Sequence, residues 1–174
     1  MPDLKKVIRG RVWKFGDSVE TSQLARGGSQ IAHNENVKEN CLRALRPEFF
    51  EQVQAEDLLA AGTNFGRGSS RQTAVQALQV CGIQALITES VARIYRRNSI
   101  ALALPNLVVP GITTLVADGE QLEIVYAGGV VGNLMSGGEL PLARFPESVD
   151  QIYECGGISQ MIVKKLAERG ITPA

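Results

Sequence analysis

The chain has 174 residues and carries 18 Lys and Arg side chains against 18 Asp and Glu, with only 5% aromatic residues. A neutral chain with few aromatic residues lacks the bulk positive charge and the stacking side chains that nucleic-acid-binding domains use. Its length and its 44% content of hydrophobic residues suit one domain that spans residues 1–174. We therefore expect a single folded domain without a nucleic-acid partner.

Neither a secretory signal nor a membrane span is visible. Residues 1–6 are largely polar and lead into an alternating segment instead of a continuous apolar one. The longest apolar stretch, residues 100–109, is interrupted by Pro105 and Asn106 and is too short to cross a bilayer. These features predict a cytoplasmic protein with no membrane partner.

Metal-binding and nucleophilic residues are sparse. Cys41, Cys81 and Cys155 lie far apart, and the one histidine, His33, stands in a polar segment. Zinc, haem and iron–sulfur sites need clustered Cys and His ligands, so we expect no metal site and no cofactor in this chain. The three cysteines are predicted to be reduced core thiols, and any metal chemistry would be supplied from outside.

The predicted elements begin with a strand over residues 7–13, where polar and apolar side chains alternate. Residues 20–34 are rich in Ser, Gly, Asn and Gln, which predicts a long loop. Apolar residues at helical spacing predict a helix over residues 36–45, which Pro47 ends, and a short helix over residues 49–53.

A strand–loop–helix–strand–helix order follows. Residues 58–62 and 85–87 have the composition of buried strands, and an apolar stripe predicts a helix over residues 71–81. A further helix is predicted to open at residue 89. This order is a βαβα unit, so part of the sheet should be parallel.

The second half of the chain begins with segments that favour strands. Residues 113–117 and 122–126 are β-like, and residues 117–120 between them are a candidate hairpin turn. Two helices are predicted after Pro146, the first ending near Gly156 and the second over residues 158–169. The sequence thus predicts an α/β domain with a mixed, partly parallel sheet and flanking helices.

The segment from residue 66 to 71 concentrates groups that bind small anions. Gly66 and Gly68 permit positive φ and close backbone approach, while Ser69 and Ser70 bring hydroxyls. Arg71 brings a planar fork that matches a carboxylate. Because a helix is predicted to start here, unpaired N–H groups and the positive end of the helix dipole would favour a small carboxylate.

A structural alternative accounts for the same residues. Serine before a helix is a common N-cap, and glycine there is an ordinary loop residue. The segment matches neither a P-loop nor a dinucleotide-binding fingerprint. From these residues alone, a capping turn and an anion site both stay open.

Three segments give the chain a family resemblance. Residues 61–71, Ala-Gly-Thr-Asn-Phe-Gly-Arg-Gly-Ser-Ser-Arg, closely resemble the Gly-x-Asn-Phe-Gly-Cys-Gly-Ser-Ser-Arg-Glu-His-Ala signature of isopropylmalate dehydratase small subunits and aconitase swivel domains. Residues 10–17 are similar to the opening strand and turn of that family. Residues 92–100 are similar to its Ala-Arg-Ile-Phe-Arg-Arg-Asn-Ala-Ile helix, and the resemblance covers nearly the whole chain.

The resemblance implies a specific function. Members are swivelling β/β/α domains that close over a large subunit holding a [4Fe–4S] cluster, whose open iron binds the hydroxyl and a carboxylate of a hydroxy dicarboxylate. On the matching positions, Ser69 would be the base that removes the Cα proton, Arg71 would hold a substrate carboxylate, and Ser70 would support it. The implied partners are the large subunit and the small-molecule substrate; whether the isolated chain forms a homo-oligomer is left open.

The chain departs from the family at positions that bear on specificity. Arg67 replaces the cysteine between the glycines, Gln72-Thr73 replaces Glu-His, and Ser22 stands where an active-site aspartate is usual. The loop that sets side-chain preference is replaced by residues 24–29. The residues expected to line the substrate are Arg67, Gly68, Ser70, Arg71, Ser22, Arg26, Gly27, Gly28 and Ser29.

Several alternatives follow from these departures. Substrates of the 3-isopropylmalate, homoaconitate, dimethylmalate and citramalate types all stay open. A non-catalytic anion-binding module of the same fold is a second hypothesis, favoured by Ser22 and opposed by the retained Ser69 and Arg71. The Arg67 side chain could enter the cleft or turn to solvent. Three further arginines, Arg93, Arg96 and Arg97, could form a basic patch or a solvated or interface face of their helix.

Overall fold

A computed structural model describes residues 7–25 and 34–171 of the chain, with residues 34–36 described by their backbone only. The described residues form one seven-stranded sheet in the order β4-β3-β2-β1-β5-β6-β7. Its strands are β1 (Ile8–Lys14), β2 (Leu58–Ala61), β3 (Ala85–Thr88), β4 (Asn106–Val108), β5 (Gln121–Val125), β6 (Val130–Asn133) and β7 (Glu139–Pro141). Neighbours among β1 to β4 pair in parallel, and β1 then pairs with β5 in the antiparallel half. The predicted mixed, partly parallel sheet is confirmed.

Helices flank this sheet. They are α1 (Thr21–Leu24), α2 (Asn34–Asn40), α3 (Phe49–Gln52), α4 (Thr73–Val80), α5 (Arg93–Ala101), α6 (Ile112–Leu115), α7 (Glu147–Cys155) and α8 (Ile158–Glu168). The short helix at residue 49 and both predicted C-terminal helices are present. No helix in the described part of the chain is long and apolar enough to cross a membrane.

The parallel strands are buried on both faces, which explains their continuous apolar sequences. All four residues of β2 and all four of β3 are buried. Because successive side chains of a strand point to opposite faces, Leu59 and Leu86 enter one core with α4, whereas Leu58 and Ile87 enter a second core with β5. The two cores fix the register of the strands.

One edge of the sheet collects the segments that matter for function. The chain leaves the carboxyl ends of β2, β3 and β4 at the same edge, because these strands are parallel and in register. Residues 62–72, residues 89–92 and α6 therefore begin side by side. Open α/β sheets commonly place ligand sites at this edge.

The prediction of a strand over residues 113–117 is wrong, because residues 112–115 form helix α6. The Glu89 carboxylate accepts hydrogen bonds from the backbone N–H groups of Gly111 and Thr113, at 2.7 and 3.0 Å, and from the Thr113 hydroxyl at 2.7 Å. A negative charge at free N–H groups stabilises a helix start, and here it outweighs the β preference of Thr and Val. Residues 117–120 consequently join α6 to β5, and the hairpin turn lies at residues 126–129 instead.

Other predicted boundaries shift by a few residues. The predicted loop over residues 20–34 contains α1, which a reciprocal capping box between Glu20 and Gln23 stabilises. The helix predicted to run to residue 45 ends at Asn40, and Leu42 adopts a positive φ of 57°. The helices expected at residues 71 and 89 begin at Thr73 and Arg93.

A buried carboxylate ties the first strand to the segment before the second. Asp57 is 3% exposed, and its Oδ2 accepts hydrogen bonds from Arg11 Nη2 at 2.6 Å, Trp13 Nε1 at 2.8 Å and the Gln54 N–H at 2.9 Å. Buried charges are tolerated when they are paired and hydrogen-bonded in this way. The network fixes the start of β2, and residues 62–72, which we call the site loop, follow the end of this strand.

We predict that Asp57→Ala lowers the free energy of unfolding by about 2–4 kcal/mol, because it leaves the Trp13 indole N–H without its acceptor and Arg11 without its carboxylate partner. Urea denaturation followed by tryptophan fluorescence measures this change. Glu123→Ala is the matched control: it removes the partner of Arg9, whose side chain is 66% exposed, and should cost less than about 1 kcal/mol. Equal losses for the two variants would contradict the role assigned to Asp57.

Candidate functional site

The loop at residues 62–72 carries the predicted site residues and is packed tightly against α5. Gly66 has φ +76°, and a Cβ added there would lie 2.3 Å from Cγ of Tyr95. Both the backbone conformation and the contact with the Tyr95 ring therefore require glycine at this position. Phe65, the preceding residue, is buried and packs edge-to-face on the same ring at 5.3 Å.

Helix α1 and the residues before it hold the other side of this loop. Hydrogen bonds run from the Gly66 N–H to the Val19 carbonyl at 2.8 Å and from the Thr21 N–H to the Arg67 carbonyl at 2.9 Å. The Thr21 hydroxyl oxygen, 5% exposed as a residue, accepts the Ser69 N–H at 2.9 Å. Thr21 thus positions the backbone of Ser69.

Ser69, Ser70 and Arg71 are exposed side chains on this fixed backbone. The Ser69 Oγ accepts the Arg71 N–H at 3.3 Å, and Asn98 Nδ2 on α5 donates to the Ser70 carbonyl at 2.9 Å. Within residues 7–25 and 34–171, the Arg71 guanidinium has neither a hydrogen-bond acceptor nor a carboxylate partner. The two hydroxyls and the Arg71 guanidinium are therefore exposed side by side, and no carboxylate in the described part of the chain neutralises the guanidinium.

Neither serine is the N-cap of α4. The residue that caps α4 is Gln72, in the αR conformation, and no side chain accepts a hydrogen bond as its cap. The Ser69 hydroxyl turns to the amide of Arg71 instead. The serines are thus not explained as helix caps.

Arg67 pairs with Glu20 at the rim of the loop. Its Nη2 lies 2.6 Å from Glu20 Oε1, with the two side chains 51% and 42% exposed. The other carboxylate oxygen of Glu20 accepts the Ser22 hydroxyl at 3.1 Å. The structure thus joins Ser22 to Arg67 through Glu20, beside Gly68, whose φ is +111°.

Two contacts that hold the loop could not be predicted from the sequence. Nothing in the local sequence marks Thr21 as the acceptor for Ser69, or Tyr95 as the partner of Gly66, because both contacts join distant segments. Glu20 was detectable, since Glu20 and Gln23 have capping-box spacing. Asn98 lies in the segment 92–100 that resembles the family, and its side chain donates a structural hydrogen bond to the Ser70 carbonyl.

The cysteines do not converge with the site. Cys41 and Cys81 are buried together, and the hydrogen bond to Cys81 and burial raise the pKa of the Cys41 thiol. Cys155 is half-buried at the end of α7. Among the described residues no three His, Cys, Asp or Glu side chains stand close enough to hold a metal ion. His33, Arg26, Gly27, Gly28 and Ser29 lie outside the described residues.

The amino-acid sequence is similar to those of known proteins. Residues 21–110 match the family described as the Aconitase C-terminal domain. The 3-isopropylmalate dehydratase small subunit 1 of Methanopyrus kandleri is 39% identical, over 93% of this chain and 96% of its own length. The isopropylmalate/citramalate isomerase small subunit of Methanocaldococcus jannaschii is 36% identical, over 95% of this chain and 99% of its own.

A solved structure supports the same relationship. The crystal structure of a 3-isopropylmalate dehydratase from Methanocaldococcus jannaschii superposes with a TM-score of 0.89 and 28% identity, covering 95% of this chain and 98% of that one. The fold agrees along almost the full length of both chains. The site loop at residues 62–72 lies inside the segment that matches the family.

We predict a graded response to alanine at three glycines. Gly66→Ala combines a positive φ with a clash and should lower the free energy of unfolding by about 2–5 kcal/mol. Gly119→Ala adds only the backbone strain, because its φ is +82° but no atom lies within 4 Å, and should cost about 1 kcal/mol.

Gly16→Ala is the neutral control, with open space and no positive φ, and should change stability by less than about 0.5 kcal/mol. Chemical denaturation of the three variants measures the series. If Gly66→Ala were no worse than Gly119→Ala, the Tyr95 contact would not constrain the loop.

Proposed function

Because the chain belongs to the Aconitase C-terminal domain family and, within it, to the 3-isopropylmalate dehydratase small subunits, we propose that it is the small subunit of a two-subunit hydro-lyase acting on a hydroxy dicarboxylate. The observation that carries this proposal is the joint presentation of Ser69, Ser70 and Arg71 on a rigid loop at the carboxyl edge of the sheet. In this proposal the chain contributes proton transfer and carboxylate binding.

Ser69 is the proposed base. Elimination of water from a hydroxy acid requires removal of a proton from the carbon next to the one that loses the hydroxyl, and the Ser69 Oγ would take this proton. A serine hydroxyl is a weak base unless its alkoxide is stabilised. Ser69 would therefore act as an alkoxide that has lost its own proton to solvent, and taking the substrate proton would return it to the hydroxyl. The Arg71 N–H, which donates to the Ser69 Oγ at 3.3 Å, would stabilise the negative charge of that alkoxide.

Arg71 is the proposed carboxylate ligand. Its exposed guanidinium has no competing carboxylate among the described residues, and its fork can donate two parallel hydrogen bonds to a substrate carboxylate. Ser70 adds a hydroxyl beside it, and the bond from Asn98 to the Ser70 carbonyl keeps this part of the loop in place. Arg71 and Ser70 would orient the substrate so that its acidic C–H faces Ser69.

The family implies a [4Fe–4S] cluster, and we propose that a large subunit holds it. The described residues do not fit such a group themselves: Cys41 and Cys81 are buried in a core, and Cys155 stands apart on α7. When present on the partner, the cluster would supply a Lewis acid for departure of the hydroxyl. The exposed face of the site loop would then be closed by that partner.

The names of the relatives support a substrate class rather than one compound. They name isopropylmalate for one relative and isopropylmalate together with citramalate for another. These hydroxy dicarboxylates share the reacting centre and differ in one substituent. We propose a substrate of this class, and 3-isopropylmalate would place the chain in leucine biosynthesis.

We predict that Ser69→Ala reduces kcat by about 10²–10⁴ in the complex with the large subunit, which is the usual contribution of a positioned base. Arg71→Lys should chiefly raise KM, because an ammonium group cannot reproduce the bidentate fork. Formation of the unsaturated dicarboxylate, followed by its ultraviolet absorbance with a reconstituted large subunit, measures both.

Matched controls lie on other elements. Ser159→Ala and Arg43→Lys alter exposed side chains away from the loop and should leave kcat and KM unchanged. Turnover of Ser69→Ala close to that of the parent protein would refute the assigned base. Complexes that assemble but dehydrate no hydroxy dicarboxylate would favour the non-catalytic anion-binding hypothesis.

Arg67 is proposed to set the polarity of one wall of the site. With Glu20 it forms an ion pair where the family has a cysteine, so the rim is polar instead of apolar. A polar wall disfavours a bare isopropyl group, because burying that wall against hydrocarbon leaves its polar groups poorly solvated.

We therefore predict that Arg67→Cys raises KM for the native substrate and shifts the ratio of kcat/KM values toward 3-isopropylmalate by about tenfold. Kinetics against a panel of hydroxy dicarboxylates measures the ratio, with Arg67→Lys as the variant that keeps the charge. An unchanged ratio would restrict Arg67 to its surface pair with Glu20.

A further inference from the structure

Helix α5 displays an unusual exposed surface next to the site loop. Its buried side is formed by Tyr95 and Ser99, whereas three arginines face solvent around an isoleucine that is 48% exposed. We call the residues Arg93, Ile94, Arg96 and Arg97 the α5 patch.

The arginines of the patch are not neutralised within the described chain. Elsewhere in residues 7–25 and 34–171, arginines at positions 9, 11, 46 and 67 each pair with a carboxylate. Arg93, Arg96 and Arg97 have no such partner there. The α5 patch therefore has three exposed arginines and no ion pair within the described residues.

The helix itself makes this charge unfavourable in the free protein. Arg93 is the first residue of α5, where the positive end of the helix dipole repels a cation. Arg96 and Arg97 follow at i+3 and i+4, the spacing at which like charges repel across one face. The charges of these arginines therefore do not stabilise α5, and no carboxylate in residues 7–25 and 34–171 pairs with them.

The patch begins at the same edge of the sheet as the site loop. The Ala92 N–H donates to the Phe65 carbonyl at 2.8 Å, and Asn98 holds the Ser70 carbonyl from the flank of α5. A body that closes over Ser69 and Arg71 from this edge would meet the N-terminal turn of α5. The α5 patch and the site loop are thus parts of one surface.

We propose that the α5 patch is a docking surface for an acidic surface of the cluster-bearing large subunit, with Ile94 as its apolar contact. This inference rests on the proposed function and names where its partner binds. Arginines around an exposed apolar side chain are the composition of protein interfaces. A nucleic acid is disfavoured, because the charge is confined to three residues and no aromatic side chain accompanies them for stacking.

The double variant Arg93→Gln/Arg97→Gln tests the proposal in the full chain. Its dissociation constant for the large subunit, measured by isothermal titration calorimetry at about 50 mM salt, should rise by about tenfold or more. Between about 50 mM and about 500 mM salt, binding by the parent chain should weaken much more than binding by the variant. The melting temperature of the free variant should stay equal or rise, an outcome that a merely structural role for the arginines would not give.

Two further variants separate the contributions. Lys164→Gln/Arg169→Gln removes two exposed cations, one from α8 and one from the residue that follows it, and should leave the dissociation constant unchanged. Ile94→Asn should weaken association while the salt dependence stays that of the parent chain, because it removes an apolar contact and no charge.

The outcomes distinguish this inference from the proposed function. If the parent chain binds the large subunit and supports dehydration but Arg93→Gln/Arg97→Gln binds equally well, the docking surface is refuted and the function stands. If the α8 control weakens binding as much, bulk charge is responsible and the patch is refuted. If the parent chain binds no large subunit, the proposed function falls and the inference falls with it. Binding of single-stranded RNA of mixed sequence that is lost in Arg93→Gln/Arg97→Gln, with large-subunit binding unaffected, would also overturn it.

Discussion

The contact between Gly66 and the ring of Tyr95 determines how closely the site loop approaches α5. Tyr95 is 1% exposed, and its hydroxyl has no hydrogen-bond partner within the described chain. An unpaired buried hydroxyl costs about 1–3 kcal/mol, so packing against Phe65 and Gly66 must outweigh that cost. Burial, together with the nearby Cys41, raises the pKa of Tyr95 and keeps the phenol neutral. A neutral, immobile ring is therefore the wall against which the loop is formed.

Two helices from different parts of the chain also hold the backbone of the loop. Thr21, on α1, fixes the amide of Ser69, and Asn98, on α5, fixes the carbonyl of Ser70. Among the described residues, the Ser69 side chain makes one hydrogen bond, from the backbone N–H of Arg71 at 3.3 Å, and the Arg71 side chain makes none. Within this loop, the backbone of Ser69 and Ser70 is held by the fold, whereas the side chains proposed to act on the substrate, Ser69, Ser70 and Arg71, are exposed.

The parallel half of the sheet could be predicted because its strands are short apolar runs between turn and helix signals, and burial on both faces demands that composition. Helix α6 could not, because Thr113 and Val116 prefer strands and the carboxylate that starts this helix is Glu89, more than twenty residues earlier. Local preference cannot register such a contact. Of the antiparallel strands, β5 was predicted as a β-like segment at residues 122–126, whereas β6 and β7 were not predicted.

In the candidate site, too, some features could be predicted from the sequence and others could not. Gly66, Ser69 and Arg71 were identifiable since their residue types in that order carry both conformational freedom and anion-binding groups. Thr21 was not, because its role depends on a hydrogen bond across 48 positions of sequence. Arg67 was recognised as a departure from the family, but the ion pair that accompanies it became apparent only when Glu20 was found beside it. Residue types predict what a site can bind, and long-range contacts decide which atoms are held still.

Parallel pairing also leaves the opposite edge of the sheet without any of the described site residues. The turn at residues 81–84, which enters β3, and the turn at residues 126–129, between β5 and β6, lie at that edge. An open cleft lined by Ala55, Gly82, Gln84 and Leu104 is found there as well. Fluorophores, affinity handles or fused domains attached to the exposed turn at Ala127 and Gly128 would point away from residues 62–72. The molecule therefore has one face suited to immobilisation and another that stays accessible to whatever binds it.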